Sequence, residues 1–375
     1  GSCRCVISIN WLFELMYSST FSFDETLIKQ NQIIDQPTAS IHDLLAQPYA
    51  IFSNLTDHQL ESLAQYSRTI TRQRFGNMVR LFIPLYLSNE CFNKCTYCGF
   101  SYDHDIDRYT LSDSEIESNL SVITKKGFQH ILLLTGESQK TVEMDYFKRV
   151  LPIIRPKVSL LAMEVQPLDF DDYVSLIQLG LDQITVYQET YHKDRYLIHH
   201  ISGKKRRFDY RLDTADRACS AGISRLNLGS LLGLSNWRFE AIAMVDHLNY
   251  LYKTYWKTQF SISFPRITSI FDTTKDLKIV SDRDLLQLIC AFRCLFPDLG
   301  ITLSTRESAK IRNGLLQLGI TDMSAESLTS PGAYTGIDAV EQFSISDQRS
   351  LTVIQDELIS QGLDPVVKDW DVVFN

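Results

Sequence analysis

Three cysteines fall within eight residues of this chain, in the stretch Cys91-Phe-Asn-Lys-Cys95-Thr-Tyr-Cys98, directly after the apolar run 81–87. Thiolates are soft ligands that bind zinc and iron–sulfur clusters. Structural zinc normally takes four ligands from paired groups, and no second Cys or His pair at zinc spacing follows here. Three thiolates on one loop therefore favour a cluster of four irons with one iron open to an outside ligand. A zinc site and an accidental grouping of structural thiols remain as alternatives.

Other residues that could bind metals have plainer explanations. Cys290 and Cys294 are four residues apart on an apolar helical stretch, where buried free thiols are common, and Cys219 lies on another such stretch. His192 and the pair His199-His200 follow the fourth predicted strand, and we expect them to be structural histidines.

Composition excludes several classes of protein. The 375 residues are 44% hydrophobic and 22% charged with a net charge of −8, which argues against a general nucleic-acid surface. The sequence contains no run of 18 or more apolar residues, so it predicts no membrane span. Eight cysteines in so long a chain do not make a compact disulfide framework. An oxygen-labile cluster implies a reducing compartment, the cytoplasm or, in a photosynthetic eukaryote, the plastid stroma. The basic run Lys204-Lys-Arg-Arg207 predicts a solvated loop, with docking of an acidic electron donor as the alternative.

The chain divides into three parts on its sequence pattern. We expect residues 1–16 to be a non-native or disordered flank, because the first methionine is Met16, and we leave Cys3 and Cys5 out of the chemistry. Residues 17–79 are polar and helical, with capped helix starts near Thr38 and Thr56, and predict an N-terminal helical cap. Residues 80–375 form the main domain with its C-terminal tail.

From residue 80 onward, short β-branched or apolar runs alternate with amphipathic helical stretches such as 112–127, 169–180, 236–256 and 281–296. The predicted strands are 80–88, 130–136, 160–166, 183–189, 225–232, 259–264, 300–305 and 320–325. Eight strands that are each followed by a helix are typical of a (β/α)8 TIM-type barrel, here with an N-terminal helical extension. A doubly wound open sheet is the alternative, but it seldom needs eight such regular units.

The active site of such a barrel lies at the carboxyl ends of its strands. Polar or ionisable residues follow all eight predicted strands. They are the cysteine loop, Thr135-Gly-Glu137, Glu164-Val-Gln-Pro167, Tyr187-Gln-Glu-Thr-Tyr191, Gly229-Ser-Leu-Leu-Gly233, Phe264-Pro-Arg266, Ser304-Thr-Arg-Glu-Ser308 and Ser324-Ala-Glu-Ser327. Repetition at every strand end predicts a polar pit above an apolar core.

The cysteine spacing, with the aromatic Tyr97 before the last cysteine, resembles that of the radical S-adenosylmethionine (SAM) enzymes. Several further strings together resemble the 2-iminoacetate synthases, the tyrosine lyases of thiamine thiazole biosynthesis. These strings are Leu85-Tyr-Leu-Ser-Asn, Leu134-Thr-Gly-Glu, Met163-Glu-Val-Gln-Pro-Leu, Val186-Tyr-Gln-Glu-Thr-Tyr-His192, Leu303-Ser-Thr-Arg-Glu-Ser and Lys368-Asp-Trp-Asp371. The resemblance runs from about Thr71 to the C-terminus, and the N-terminal helical segment matches only loosely.

The resemblance implies roles for individual residues. Cys91, Cys95 and Cys98 would ligate one [4Fe–4S] cluster, whose free iron binds SAM, and Tyr97 would lie beside the cofactor. Glu137 would bind the SAM amino group, although Thr135 replaces the first glycine of the family's Gly-Gly-Glu-type motif. The remaining assignments are Glu164 to the ribose hydroxyls, Arg211 to the SAM carboxylate, Gly229 and Gly233 to the adenine, Arg306 to the carboxylate of tyrosine, and Ser308 and Ser324 to hydrogen bonds with the amino acid. Structural ion pairs, turn glycines and satisfied core hydroxyls are the alternatives for these residues.

The implied reaction is cleavage of the Cα–Cβ bond of L-tyrosine to 2-iminoacetate (dehydroglycine) and p-cresol, with 5′-deoxyadenosine and methionine as cofactor products. The implied partners are a ferredoxin or flavodoxin reductant and thiazole synthase, the recipient of the imine. Other radical SAM enzymes stay open: a tryptophan lyase, a sulfur-inserting synthase and the tyrosine lyase of iron-hydrogenase maturation. That last relative holds a second cluster on three C-terminal cysteines, whereas this sequence has no cysteine after Cys294. We therefore expect one cluster. A zinc-stabilised binding subunit is the alternative that is not an enzyme.

Overall fold

A computed structural model describes residues 16–21, 35–47, 49–138, 140–268 and 276–368. The flank before Met16, with Cys3 and Cys5, and Asp369–Asp371 of the C-terminal string lie outside these residues. Among the described residues, no helix is both long enough and apolar enough to cross a bilayer.

The strands of the described residues, in chain order, are β1 (Met78–Ser88), β2 (Lys94–Cys95), β3 (His130–Thr135), β4 (Leu160–Glu164), β5 (Gln183–Glu189), β6 (His200–Ser202), β7 (Arg225–Ser230), β8 (Gln259–Ser263), β9 (Gly300–Leu303), β10 (Asp322–Ser324) and β11 (Asp364–Val366). The α-helices are α1 (Tyr17–Thr20), α2 (Ile41–Ala46), α3 (Asp57–Phe75), α4 (Asp113–Lys125), α5 (Met144–Ile154), α6 (Phe170–Gln178), α7 (Lys193–His199), α8 (Phe208–Leu212), α9 (Thr214–Ser220), α10 (Trp237–Thr254), α11 (Asp282–Leu295), α12 (Ala309–Leu315) and α13 (Leu351–Ser360). Short 3-10 turns occupy Ala50–Phe52, Arg155–Lys157, Lys204–Arg206 and Ala333–Thr335.

Eight of these strands close into a parallel barrel in the order β1, β3, β4, β5, β7, β8, β9, β10. The barrel closes where β1 pairs with β10, with Arg80 opposite Asp322 and Leu81 opposite Met323. Its strands carry nearly continuous apolar runs because both their faces are covered, on one side by the barrel interior and on the other by helices. The predicted (β/α)8 barrel is confirmed, and the open sheet is wrong.

The N-terminal residues pack on the outside of the barrel. Helix α3 begins with a capping box in which Thr56 and Gln59 satisfy each other's backbone N–H groups, as the sequence predicted. The cap of α2 is Ser40, paired with Asp43. The side-chain amide of Gln287 on α11 donates 2.8 Å hydrogen bonds to the carbonyl oxygens of Ile51 and Ser53, which attach this region to the barrel.

A long irregular segment, residues 326–350, crosses the carboxyl end of the barrel; we call it the cover segment. The Tyr334 hydroxyl donates to the Pro84 carbonyl at 2.9 Å, and the backbone N–H of Gly99 donates to the Gln342 carbonyl at 2.9 Å. Loops of this length without regular structure are usually functional in compact domains.

A buried ion pair holds the end of the cover segment. Arg312 of α12 and Asp347 have fully buried side chains and form a short hydrogen-bonded pair, and Arg312 also donates to the Ser324 carbonyl at the end of β10. Arg349 adds hydrogen bonds of 2.8 and 2.6 Å to the Asp347 carboxylate. Burial opposes the charge of Asp347, but Arg349 and Arg312 outweigh it and hold the pKa of Asp347 below its usual value.

We expect Asp347→Ala to lower the free energy of unfolding by about 3–5 kcal/mol, because it leaves the Arg312 guanidinium buried and unpaired. Folding lowers the pKa of Asp347. The stability that its carboxylate contributes is therefore fully present above the unfolded pKa of about 3.9 and is lost as the pH falls through the lower pKa of the folded state. Urea unfolding at pH 7 checks this.

The matched control is Asp298→Ala, which removes an exposed carboxylate 3.5 Å from Arg74. Exposed pairs of this kind contribute about 0–1 kcal/mol. Equal losses for the two variants would show that the buried pair does not anchor the cover segment.

Candidate active site

A cavity opens at the carboxyl ends of the barrel strands, beneath the cover segment. Its walls include Tyr86, Thr135, Glu164, Tyr187 and Ser324, each near the end of a different strand. It encloses about 1450 Å³, open solvent at its mouth included. Strand-end residues therefore meet in one cavity, as the sequence predicted, but most of the cavity wall is apolar.

Contacts with two neighbouring segments fix the position of the cysteine loop at the cavity mouth. Strand β2 pairs antiparallel with β6, and the Thr96 backbone N–H donates to the His199 carbonyl at 3.1 Å. A Cβ atom on Gly136 would lie 2.1 Å from the Glu90 carbonyl oxygen, so only glycine lets the end of β3 approach this loop. His199 and His200 support the loop through 2.8 Å hydrogen bonds to the Thr96 and Tyr97 hydroxyls.

Cys91, Cys95 and Cys98 all line the cavity, and Tyr97 lines it beside them. The Asn93 backbone N–H and side-chain amide lie 3.5 and 3.7 Å from Cys91 Sγ, and hydrogen bonds to sulfur are one way proteins adjust iron–sulfur clusters. Burial raises the pKa of Cys98 to about 11. Thiolates at such a site need a compensating positive charge, and bound iron supplies it. Three soft thiolate donors on one loop that line one cavity suit an iron–sulfur cluster. No three His, Cys, Asp or Glu side chains of the described residues are placed to hold a single metal ion.

Glu137 and Arg211 meet at the edge of the cavity. The Arg211 guanidinium donates to Glu137 Oε1 at 2.9 Å and to the Tyr187 carbonyl at 2.6 Å, and the Asn93 amide donates to Glu137 Oε2 at 2.8 Å. Burial opposes the charge of Glu137, but Arg211 and Lys205 hold its pKa below the usual value. The neighbouring Thr135 hydroxyl is buried without a partner among the described residues. The two charged residues assigned to SAM thus lie together beside the cysteine loop.

The sequence analysis gave no functional role to two charged residues that line the cavity. Lys205, from the run expected to be a solvated loop, is largely buried, and its ammonium group lies 2.7 Å from Glu189 Oε1. Glu189 ends β5 with φ of 69°, a left-handed conformation that costs a non-glycine residue energy and often marks a functional site. Burial opposes the charge of Lys205, but Glu189 keeps its pKa above the usual value. The strand-end string around Tyr187 and the basic run were the available signals.

Arg306 extends into the cavity without an acidic partner among the described residues. Its guanidinium carbon lies 3.4 Å from the ring centre of Phe343 in the cover segment, and one of its nitrogens donates to Thr268 Oγ1 at 3.2 Å. The neighbouring Glu307 pairs instead with Arg266. The structural alternative for Arg306 was a pair with Glu307 or another rim acid. The pair with Glu307 is wrong, and Glu164 and Glu189 act on the charge of Arg306 without forming an ion pair with it among the described residues, so its guanidinium is available to an anionic ligand.

Glu164 lines the same cavity at the end of β4. Burial raises its pKa to about 7, and the nearby Glu189 carboxylate acts in the same direction. Its assignment to the ribose hydroxyls stays a prediction.

The remaining predicted residues differ in where they lie. Ser324 lines the cavity, and its hydroxyl accepts a hydrogen bond from the Thr305 N–H at 3.1 Å. Ser308 is exposed and caps α12 by accepting from the Ile311 N–H, so the structure does not bring it to the cavity.

A Cβ on Gly229 would lie 2.5 Å from the Tyr187 ring, and a Cβ on Gly233 would lie 2.7 Å from Ile267. Both glycines serve close packing here, and Leu231 between them lines the cavity.

Comparisons with known proteins agree with this geometry. The radical SAM superfamily model matches residues 85–247, and the Biotin and Thiamin Synthesis associated domain matches residues 263–364. The 2-iminoacetate synthase of Escherichia coli is 47% identical over 324 residues, which are 86% of each chain, and that of Salmonella typhimurium is 46% identical over the same length. A crystal structure of HydG, a maturase of the [FeFe]-hydrogenase, superposes with a TM-score of 0.86 at 27% identity, covering 92% of this chain and 80% of that one.

Proposed function

The chain belongs to the radical SAM superfamily and, within it, to the 2-iminoacetate synthases, and from this membership we propose that it cleaves the Cα–Cβ bond of L-tyrosine. The observation that carries the choice of substrate class is Arg306, a half-buried arginine without an acidic partner among the described residues, in the cavity that the three cysteines line. A planar guanidinium binds carboxylate at two points, as an amino acid requires.

The cysteine side of the cavity would hold the cofactors. Cys91, Cys95 and Cys98 would bind three irons of a [4Fe–4S] cluster, with Glu137 and Arg211 beside them for the amino and carboxylate groups of SAM. When bound, the reduced cluster and SAM supply a 5′-deoxyadenosyl radical, which removes a hydrogen atom. Glu137 and Arg211 pair with each other in this structure, so binding of SAM would exchange that ion pair for contacts to its amino and carboxylate groups.

The residues that follow β9 would position tyrosine. Arg306 would hold the carboxylate and so fix the amino group near the cysteine side, where a hydrogen atom is taken from nitrogen. A misplacement of about 1 Å at such a step costs about 10²-fold in rate, so anchoring is the main task of the chain. The Cα–Cβ bond then breaks to give 2-iminoacetate, and the side-chain fragment takes up one electron and one proton to become p-cresol.

Apolar residues deep in the cavity would keep water away from the reactive fragments. Phe82, Pro84, Leu132, Leu285 and Ile289 line this part of the wall. Exclusion of water prevents the side reactions that open radical sites suffer.

We further propose that thiazole synthase receives the labile imine and that a ferredoxin or flavodoxin supplies the electrons. A reducing compartment, the cytoplasm or the plastid stroma, follows from the oxygen sensitivity of the cluster.

The alternative function is that of the hydrogenase-maturation lyases, which share this fold. The other described thiols, Cys219, Cys290 and Cys294, lie on or next to barrel helices and away from the cavity. We expect about four irons per chain after anaerobic reconstitution, because a second cluster needs further thiolates, and no cyanide during turnover. Iron analysis and a cyanide assay check this. About eight irons per chain, or cyanide in the mixture, would support the hydrogenase-maturation reaction instead.

A further inference from the structure

Helix α10 carries a buried carboxylate, Glu240, that contacts neither the cysteines nor Arg306. It lies in the first turn of the helix and is 1% exposed. No basic side chain of the described residues forms an ion pair with it, and burial raises its pKa. Burying a carboxylate without a cation is costly, because the group gives up its hydration. Neighbouring hydrogen-bond donors must therefore compensate the charge.

These donors come from the ends of two adjacent barrel strands. The Thr190 hydroxyl donates to Glu240 Oε1, and the Tyr191 N–H donates to Oε2 at 2.9 Å; both residues directly follow β5. The Ser230 hydroxyl, at the end of β7, donates to Oε2 at 3.0 Å. One buried side chain thus joins the carboxyl ends of β5 and β7.

The strand end that Glu240 holds contains the left-handed residue of the cavity wall. Glu189, with φ of 69°, directly precedes Thr190, and the pairing of β5 with β7 shifts register between Tyr187 and Glu189. The Leu231 N–H donates to the Glu189 carbonyl at 2.8 Å. A non-glycine residue keeps such a conformation only where the surrounding structure enforces it. The hydrogen bonds of Glu240 to the next two residues supply part of that constraint.

The left-handed turn determines where the Glu189 carboxylate lies. Its Oε1 is 2.7 Å from the Lys205 ammonium and 3.8 Å from a guanidinium nitrogen of Arg211. Arg211 also donates to Glu137, and these two residues are the ones assigned to SAM. An irregular strand end of this kind re-aims the side chain that it carries. The surroundings of Arg211 therefore depend on the turn that Glu240 holds.

We propose that Glu240 is a positioning residue of the cofactor site, which holds the turn after β5 so that Glu189 fixes Arg211 in the arrangement that binds SAM. The inference rests on the proposed function, because it takes the cavity to be the SAM site. Glu240 does not line the cavity itself and acts through Glu189. Its loss should therefore have no effect in a protein that already lacks the Glu189 carboxylate.

The test measures the SAM affinity of the reconstituted protein by equilibrium dialysis in the absence of tyrosine. Glu240→Ala removes the acceptor of all three hydrogen bonds. Glu240→Gln keeps the shape of the side chain, and its amide can accept from the Tyr191 N–H and the Ser230 hydroxyl and donate to Thr190. Glu189→Gln and the double variant Glu189→Gln/Glu240→Ala complete a cycle that measures the coupling of the two residues.

The matched control is Asp216→Ala. Asp216 on α9 is 2% exposed and likewise accepts from three uncharged donors, the hydroxyls of Tyr250 and Tyr255 at 2.7 Å and the Tyr17 N–H at 3.2 Å. It does not line the cavity. Its removal measures how far the loss of a buried, hydrogen-bonded carboxylate weakens SAM binding through general damage to packing.

We expect Glu240→Ala to bind SAM at least about tenfold more weakly than the wild type, and Glu240→Gln and Asp216→Ala to bind it within about twofold of the wild type. Glu189→Gln should also weaken SAM binding, and the double variant should bind SAM no more weakly than Glu189→Gln. A smaller loss in Glu240→Ala, a loss of the same size in Glu240→Gln or Asp216→Ala, or a further loss in the double variant would overturn the proposal.

If Glu240→Ala does not fold, Thr190→Val decides. This change keeps the side-chain volume and removes one donor to Glu240. SAM binding weakened by more than about twofold in Thr190→Val, with no further loss when the change is added to Glu189→Gln, supports the proposal. A smaller loss, or one that adds to that of Glu189→Gln, overturns it.

Failure of the proposed function would look different. SAM affinities that follow the expected pattern in a protein that yields no p-cresol from tyrosine would refute the tyrosine reaction and leave the positioning role standing. A wild-type protein that binds no SAM would overturn both.

Discussion

Cys95→Ala should abolish both the cluster and the production of 5′-deoxyadenosine while leaving the barrel folded. Cys95 is buried in β2 and lines the cavity with the other two thiols. Two remaining thiolates do not hold a cluster of four irons, and without it SAM has no electron donor. Iron and sulfide content, absorbance near 400 nm and chromatography of the nucleoside check this, with circular dichroism for the fold.

Cys290→Ala is the matched control, because Cys290 is an equally buried thiol on α11, outside the cavity. It should keep its iron and its activity. Retained 5′-deoxyadenosine production in Cys95→Ala, or equal loss in both variants, would contradict the role of the three cysteines.

Arg306→Ala should weaken tyrosine binding by about 2–5 kcal/mol, since the substrate carboxylate would be buried without its partner. The affinity for SAM should change little, because Glu137 and Arg211, the residues assigned to SAM, pair with each other and not with Arg306. Equilibrium dialysis with labelled tyrosine and labelled SAM measures the two affinities separately.

Arg306→Lys is the control for charge alone. It keeps a cation but loses the planar fork, so tyrosine binding should fall to a value between those of the wild type and Arg306→Ala. A collapse of SAM affinity in either variant would mean that this arginine binds the cofactor and not the substrate.

The fold could be predicted from the sequence because barrel strands are buried on both faces and leave a strong signal. All eight predicted strands exist, each within two residues of its predicted start and end. Residues at strand ends could also be placed, since parallel strands bring their carboxyl ends to one side. For this reason the cavity contains four of the residues predicted at strand ends, Glu137, Glu164, Arg306 and Ser324.

Residues on loops could not be placed in the same way. Lys205 lies in a basic run whose pattern indicates solvent exposure, and only the tertiary contact with Glu189 shows that one of its four cations is buried. Ser308, like Arg306, comes after β9 in the sequence, and the same argument predicted it in the cavity. It is instead the N-cap residue of α12, and its hydroxyl caps that helix. Phe343 comes from the irregular cover segment, which has no periodic pattern to predict its path.

The central claim is that the cavity lined by the three cysteines and Arg306 cleaves tyrosine. The most direct measurement is anaerobic turnover of the reconstituted protein with SAM and each aromatic amino acid in turn, with the products identified by mass spectrometry. Tyrosine should yield p-cresol and glyoxylate, the hydrolysis product of 2-iminoacetate, with 5′-deoxyadenosine, and tryptophan should yield no cleavage products. Formation of 5′-deoxyadenosine without p-cresol from tyrosine, or cleavage of tryptophan in its place, would contradict the account.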